Sequence, residues 1–353
     1  MPASIYPLAL ALALLLPQDD ERDKLRKREA ELIDYLLSHQ KEEGTWRMSE
    51  KVPTRLASQT LLICQALMEV RNDSNRATID TAVEKALTYC LNEIKAKRDW
   101  RIIWDHILGV PVYHRAKTLG LLKGRAADLD EAIRVSLDRL ERAQGKSGSW
   151  SYTDLTGGIH TSFVTSSGAY WLQEADKAGL KFGKETLVRA VGIVESLRLP
   201  DGAFAYYHPI RKSKSGGTAS FDKMPGSIAR NALCEWVLLR AGKGSQANLK
   251  LAVENFMAHY DELQKNYFDF PGTHDGPYQI APYYFFYGHY TTALAASQGL
   301  QDAALKKKAL DFIRSKLLAL EIAKYNKDHF NIGFDTFHAM AYTLLTLRLA
   351  TPD

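Results

Sequence analysis

Helical periodicity is the feature of this sequence that most restricts its fold. From residue 21 onward, apolar residues recur every three or four positions, and alternating runs of β-branched residues are nearly absent. This spacing indicates helices rather than strands. Stretches rich in Gly, Pro, Ser and Asp separate twelve such blocks, at 21–39, 55–69, 79–96, 103–121, 129–143, 160–176, 185–197, 227–241, 247–265, 280–297, 303–320 and 335–348. The sequence therefore predicts an all-α fold.

The predicted helices are of two kinds that alternate along the chain. Odd-numbered blocks such as 129–143 are rich in charge and carry one apolar stripe, while even-numbered blocks such as 335–348 are apolar nearly all round. A helix that is apolar on every side must be surrounded, whereas a helix with one stripe covers its neighbours. We therefore predict a single α6/α6 toroid, with six inner and six outer helices, over residues 18–353.

An aromatic residue marks each turn from an outer helix into the next inner helix, which is a structural repeat. The steps between these residues are 54, 50, 54, 74 and 52. The long step places an insertion at 206–224, which is basic and contains glycine, and we predict that it forms a mobile flap over the inner helices. A merely disordered insertion is the alternative. The six aromatic residues are Trp46, Trp100, Trp150, Phe204, Tyr278 and Phe330.

Three of these turns share a longer pattern: Gln40-x-x-x-Gly44-x-Trp46, Gln144-x-x-x-Gly148-x-Trp150 and the degenerate Arg198-x-x-x-Gly202-x-Phe204. The pattern resembles the QW repeats of squalene-type terpene cyclases and of the related protein prenyltransferase β subunits. The resemblance covers roughly residues 21–350 and implies the α6/α6 toroid of that superfamily.

The resemblance does not carry over the catalytic residues of those enzymes. The sequence contains no D-x-D-D motif, which squalene-type cyclases use as their acid, and it has room for one barrel only. Asp335-Thr-Phe-His338 resembles one of the zinc motifs of prenyltransferase β subunits, but the matching Asp-x-Cys is missing. Squalene cyclase activity is therefore not expected.

In such a toroid the inner helices run in one direction, so six helix N-termini with unpaired N–H groups surround one mouth, which favours anions. We select Asp105, His106, His160, Asp335 and His338 as candidate acids and bases there. For any one of them, capping or an ordinary satisfied hydrogen bond is the alternative. The other polar residues at these helix starts are Arg55, Ser58, Trp104, Thr161, Ser227, Arg230, His274, Asp275 and His329.

The candidate substrate-binding residues are Arg55, Arg230, Tyr283, Tyr287 and His289. The last three belong to an aromatic run in the fifth inner helix that could line a cavity for a sugar or an isoprenoid chain, core packing being the alternative. Arg230 shares an otherwise apolar helix with Glu235, so at least one of the two must find a partner or face a cavity.

His329, Asp335 and His338 are candidate zinc ligands, because imidazole and carboxylate groups in that combination can hold zinc with one position open. The alternatives are acid–base chemistry without a metal, and a structural role in which Asp335 caps the last helix. We expect that the protein binds no cofactor, with zinc as the alternative.

The first segment has the pattern of a secretory signal peptide. Residues 5–16 form an uncharged apolar run that ends at Pro17 and is too short to span a bilayer. We predict a signal peptide over residues 1–17, a secreted or periplasmic protein, and no stable membrane insertion after its removal. A misassigned start or a retained anchor is the alternative.

The net charge and the cysteines limit the kinds of partner that this protein is expected to bind. The net charge is +5, with both signs interspersed, which indicates no nucleic-acid-binding face. The three cysteines lie inside apolar helical patterns and are expected to be buried and free. Two functions remain open: a scaffold that binds a small molecule, a glycan or a protein, and an enzyme that acts on a carbohydrate or isoprenoid-like substrate in the central cavity with His and Asp as acid and base.

Overall fold

A computed structural model describes residues 19–47, 56–96, 101–155, 158–210, 220–269, 277–278, 280–321 and 336–351. No helix in these ranges is long and apolar enough to cross a membrane. The α-helices that they contain are α1 Asp19–Ser38, α2 Leu56–Glu69, α3 Arg76–Lys95, α4 Trp104–Thr118, α5 Ala126–Ala143, α6 Ser162–Lys177, α7 Lys184–Ser196, α8 Met224–Arg240, α9 Gln246–Ala258, α10 Tyr260–Asp269, α11 Phe285–Gly299, α12 Ala303–Ala319 and α13 Thr336–Ala350.

The remaining regular elements are short. Strands β1 His160–Thr161 and β2 Tyr207–His208 pair antiparallel, with His160 opposite His208. Single-turn 3-10 helices occupy Lys123–Arg125, Ser220–Asp222 and Ala281–Tyr284. The strands and the last two of these turns lie next to the starts of inner helices, so they belong to the mouth rather than to the outer wall.

The inner helices form a closed ring. Along the ring, α2, α4, α6, α8, α11 and α13 each contact the next, and α13 contacts α2 again. Every residue of α2 from Leu56 to Met68 is buried, as an inner helix requires. The outer helix α5 instead buries one stripe, which includes Leu129, Ile133 and Leu140. This alternation confirms the predicted all-α toroid.

Some helix boundaries differ from the predicted ones. Helix α8 begins at Met224 rather than at residue 227, because Pro225 fits the first turn of a helix, where its missing N–H is not needed. The predicted helix 247–265 is two helices, α9 and α10, which meet at His259. The fifth inner helix starts with the 3-10 turn Ala281–Tyr284 and continues as α11.

Two turns between outer and inner helices repeat the same hydrogen bonds. Gln40 Nε2 donates to the carbonyl oxygen of Gly44 at 3.0 Å and to a carbonyl of α3 at 2.8 Å. Gln144 Nε2 donates in the same way to Gly148 and to a carbonyl of α7, both at 2.8 Å. Gly44 and Gly148 have φ angles of 96° and 98°, a region that favours glycine. Each glutamine thus ties its turn to the next outer helix.

The aromatic residues of these turns are buried where the structure describes them. Trp46 Nε1 donates to the carbonyl oxygen of Leu36 at 2.6 Å, and Trp150 Nε1 donates to that of Leu140 at 2.8 Å. Phe204 and Tyr278 are buried as well, while Trp100 and Phe330 lie outside the described residues. The equivalent bonds of Trp46 and Trp150 show that the first and third turns are structural copies.

The degenerate third pattern contains an ion pair instead. Arg198 occupies the position of the glutamine, and its Nε and Nη2 both donate to the Glu235 carboxylate on α8, with Nε to Oε1 at 2.8 Å. This two-point contact supplies the partner that Glu235 needs inside an apolar helix. The prediction that this acid would be paired or exposed is confirmed.

The predicted flap 206–224 is wrong at both ends, because those ends belong to the core. Tyr206 and Asp222 are buried, and the backbone N–H of Tyr206 donates to Asp222 Oδ1 at 2.5 Å. A buried carboxylate bound to the main chain anchors the segment. Residues 211–219 lie outside the described residues.

The cysteines are free and buried, as predicted. Cys64 lies in α2, Cys90 in α3 and Cys234 in α8. Burial raises the pKa of each thiol, to about 12 for Cys234. The thiols are therefore protonated and act as small apolar side chains.

Candidate functional site

One small cavity lies between the inner helices in the described part of the chain. Residues of all six helices line it, and its volume is about 20 Å³. That volume holds about one water molecule, whereas sites for organic ligands measure about 300–1,000 Å³. A sugar or an isoprenoid chain therefore does not fit inside this cavity. One lining residue from each helix in turn is Gln65, Trp104, Ser167, Leu233, Tyr287 and Tyr342.

Aromatic rings close the interior at the N-terminal ends of the inner helices. The Phe163 ring on α6 lies 5.1 Å from the Trp104 ring on α4, 4.1 Å from the Tyr284 ring and 4.6 Å from the Tyr287 ring, between centroids. Tyr287 Oη is 2.8 Å from Ser167 Oγ, so this polar tip is satisfied inside the ring of helices. Trp104 is half-buried and leaves part of its ring accessible at the mouth.

Three tyrosine hydroxyls meet at the mouth, and we call them the tyrosine triangle. Tyr284 Oη lies 2.8 Å from Tyr152 Oη and 2.7 Å from Tyr206 Oη, and the hydroxyls of Tyr152 and Tyr206 are also hydrogen-bonded. Burial raises the pKa of Tyr206 and Tyr284 well above the ordinary value. Tyr206 and Tyr284 are buried, whereas Tyr152 is half-buried.

The tyrosine triangle was not predicted from the sequence, although the repeat contains a signal for it. Tyr152 comes two residues after Trp150, and Tyr206 comes two residues after Phe204, so they are separated by the same step of 54 residues. Equivalent positions in successive repeats lie side by side around a toroid. The spacing could therefore have predicted that Tyr152 and Tyr206 are neighbours.

Asp105 and His106 lie in the first turn of α4 and are both enclosed, with His106 next to Asp154. Burial raises the pKa of Asp105 to about 7, while Arg101 and a hydrogen bond with Ser58 oppose the rise. Burial also lowers the pKa of His106, whose Nε2 lies 3.6 Å from Asp154 Oδ2. Both candidate acid–base residues are at most 8% exposed, so a substrate would reach them only if the mouth opened.

Asp154 is the charged member of this group and was not predicted. Its Oδ1 accepts from the backbone N–H of Arg101 at 2.6 Å, and its Oδ2 lies 3.5 Å from Arg139. Burial alone would raise the pKa of Asp154, but the contacts with His106 and with the Arg101 N–H hold it below the ordinary value. Below about pH 7, Asp105 thus retains its proton more readily than Asp154 does.

The raised pKa of Asp105 predicts a pH-dependent stability. An unfolded Asp105 ionises near pH 3.8 and the folded one near pH 7, so between these values only the folded state retains the proton. The stability from this group is present in full below pH 3.8 and is lost as the pH rises to 7, with a slope of up to about 1.4 kcal/mol per pH unit.

Urea unfolding of the wild type and of Asp105→Asn at several pH values measures this slope. The variant imitates the protonated side chain, so its free energy of unfolding should fall less between pH 4 and 7. Asp128→Asn is the control, because hydrogen bonds from Lys95 and Arg125 lower the pKa of that exposed carboxyl. Equal slopes for the wild type and Asp105→Asn would contradict the prediction.

His160 and Thr161 lie at the start of α6. The Thr161 hydroxyl accepts from the backbone N–H of Val164 at 3.3 Å and so caps the helix. His160 Nδ1 lies 2.9 Å from Ser149 Oγ. The structure therefore places His160 beside the mouth, but not in the group of Asp105 and His106.

Arg230 is completely enclosed and joins two turns to the start of its own helix, α8. Its guanidinium donates to the carbonyl oxygens of Phe204 at 2.6 Å, of Phe221 at 2.8 Å and of Gly226 at 2.9 Å. Asp222 Oδ1 lies 3.8 Å away as a counter-ion. Contact with a ligand would require these bonds to open, so the geometry gives Arg230 a structural task.

The remaining predicted residues occupy varied positions. His289 is buried, with Nδ1 2.7 Å from the Phe285 carbonyl oxygen and Nε2 3.0 Å from Tyr260 Oη, and burial lowers its pKa to about 4. Tyr283 is half-buried at the mouth, and His338 is half-buried in α13. Arg55, His274, Asp275, His329 and Asp335 lie outside the described residues.

Within the described part of the chain, no three His, Cys, Asp or Glu residues are grouped as metal ligands. His329 and Asp335, two of the three candidate zinc ligands, lie outside that part. The zinc site built on them with His338 stays a prediction.

Comparison of the sequence with protein-family models and with curated proteins finds no match. Solved structures do match: an α-1,6-mannanase from a Salegentibacter species, with a TM-score of 0.55 and 10% identity, covers 94% of this chain and 98% of its own. An α-amylase from Clostridium perfringens has a TM-score of 0.53 and 10% identity, with coverage of 96% and 100%.

A third structure, a possible GH105 member from Klebsiella pneumoniae, has a TM-score of 0.51 and 12% identity, with coverage of 99% and 98%. At such identities the likeness concerns the fold alone. Since the matches extend over nearly the whole chain, they agree with the closed ring of inner helices. By its fold, this chain is an α/α toroid protein.

Proposed function

We propose that this protein binds a carbohydrate at the mouth formed by the inner-helix N-termini. The observation that carries the proposal is the group of half-buried aromatic rings at the mouth, which includes Trp104, Tyr283 and Tyr152 of the tyrosine triangle. Sugars present apolar C–H faces and hydroxyl groups, and aromatic rings with polar tips complement both. The toroid structures named as a mannanase and an amylase support the same ligand class.

The interior favours a carbohydrate over an isoprenoid ligand. An isoprenoid chain gains affinity by burying its whole length in an apolar cavity. The cavity of about 20 Å³ that is described between the inner helices is too small for that. A sugar chain can instead lie across an open mouth. In our proposal, this protein thus resembles the QW-repeat terpene cyclases in the turns before its inner helices, but it does not share their class of substrate.

We also propose that the protein is exported, with a signal peptide over residues 1–17 and the toroid over residues 18–353. The apolar run from Ile5 to Leu16 supports this location. Glycans are abundant outside cells, so export and a carbohydrate ligand are mutually consistent.

Binding measurements with purified oligosaccharides test the proposal. Isothermal titration with an α-1,6-mannan oligosaccharide and a malto-oligosaccharide should detect binding of at least one of them to the wild type. Trp104→Ala should weaken that binding by about fivefold or more, because truncating an aromatic contact in a binding site costs over about 1 kcal/mol. Phe182→Ala is the matched control, since this half-buried ring precedes α7 at the other end of the barrel.

Two outcomes would contradict carbohydrate binding at the mouth. One is no binding of either sugar class by a folded wild type. The other is an equal loss of affinity in Trp104→Ala and Phe182→Ala, which would place the binding site elsewhere.

Hydrolysis of the bound sugar is the second candidate function. Asp105 and Asp154 have pKa values shifted in opposite directions, which is the pattern expected of an acid and a base. Their burial argues for binding alone in the described conformation. If the wild type releases new reducing ends from either oligosaccharide and Asp105→Asn does not, hydrolysis is supported. If the wild type releases no more than heat-inactivated protein does, the function is binding without hydrolysis.

A further inference from the structure

Two histidines face each other across the short sheet beside the mouth. His160 on β1 is the direct partner of His208 on β2. Directly opposite residues of an antiparallel pair project to the same side of the sheet, with Cβ atoms about 4.5–5.5 Å apart. Both side chains are half-buried, so both remain partly accessible to solvent. Two imidazoles are therefore held at close range on one face.

The ring of His160 is held in one orientation. Its Nδ1 lies 2.9 Å from Ser149 Oγ, which in turn lies 2.8 Å from Ser147 Oγ. The ring packs on Gly145, where an added Cβ would lie 2.6 Å from Cε1. With the proton on Nδ1 donated to Ser149, Nε2 presents its lone pair, which is how outer hydrogen bonds orient metal-binding histidines.

We propose that His160 and His208 form a binding site for one divalent transition-metal ion, with Cu²⁺ bound more tightly than Ni²⁺ or Zn²⁺. Imidazole is a preferred ligand of all three ions, and affinity for nitrogen sites rises toward copper. This site shares no residue with the zinc ligands predicted at the last helix. It also does not depend on carbohydrate binding.

An ion in this site retains open coordination positions. In the described part of the chain, no group of three His, Cys, Asp or Glu residues is placed to hold a metal. The two histidines therefore supply two ligands, and water or a small anion completes the shell. Such open sites are typical of metals that exchange or that bind a further ligand.

Titration of tag-free protein with CuCl₂, NiCl₂ and ZnCl₂ in a non-chelating buffer tests the proposal. We expect one Cu²⁺ per chain and an electron paramagnetic resonance spectrum with two coordinated imidazole nitrogens. His160→Asn and His208→Asn should each weaken binding by at least about tenfold, which is what the loss of even an outer-shell partner can cost. His39→Asn is the matched control, since this exposed histidine lies just after α1.

Ser149→Ala separates positioning from coordination. It should weaken Cu²⁺ binding less than His160→Asn does, while the spectrum retains two nitrogens. Thermal melting shows whether each variant is folded, and His208→Asn decides the question if His160→Asn does not fold. No saturable Cu²⁺ binding by the wild type, or equal affinities of the wild type and His208→Asn, would overturn the proposal.

Discussion

Arg230→Met should lower the free energy of unfolding by about 3–5 kcal/mol, the cost of breaking a buried ion pair by removing one partner. The guanidinium, which is 1% exposed, is bound to three backbone carbonyls. Methionine keeps most of the apolar stem but removes every donor. Asp222 would then be buried without its counter-ion, and the three carbonyls would lose a partner. Urea unfolding monitored by circular dichroism measures the loss.

Two further variants separate the buried charge from general damage. Arg134→Met removes an exposed arginine that pairs with Glu131 on the same helix, and its effect should be within about 0.5 kcal/mol. Asp222→Asn combined with Arg230→Met removes the buried unpaired charge, so the double variant should regain part of the stability. A loss below about 1 kcal/mol in Arg230→Met would show that the turns hold without this network.

The sequence predicted the toroid because burial leaves a direct mark on the pattern of each helix. A helix such as α2, buried on all sides, can contain little charge, whereas α5 is free to carry charge on its outer face. This information is local to each block of residues. The pairing of Glu235 was predictable on the same ground, since a buried carboxylate requires a partner somewhere.

The details of the mouth depend on contacts between distant parts of the chain. His106 meets Asp154, which is 48 residues away, in a turn whose course no local pattern defines. The tyrosine triangle joins Tyr152 to Tyr284, 132 residues apart. The small interior likewise results from rings on different helices, such as Phe163 and Tyr287, that fill the same space. Periodicity indicates that such residues face inward, but not which of them meet.

Trp150→Ala should lower the free energy of unfolding by about 3–5 kcal/mol, the usual cost of removing a buried large ring. The indole is fully buried and its Nε1 is bonded to the Leu140 carbonyl oxygen. Helix α6 packs directly on it, since a Cβ added at Gly168 would lie 3.0 Å from the ring. Alanine would therefore leave a cavity between α6 and the turn, and the rigid helix could close it only in part.

Trp46→Ala tests whether the first turn contributes as much to the free energy of unfolding as the third turn, whose geometry it shares. Trp46 has the same burial and donates the equivalent hydrogen bond, to the Leu36 carbonyl oxygen, so its loss should cost a similar amount. Trp104→Ala is the control, because this half-buried ring leaves a smaller cavity. Thermal unfolding of the three variants ranks them. If Trp104→Ala costs as much as the two turn variants, ring burial in the repeated turns is not what stabilises the toroid.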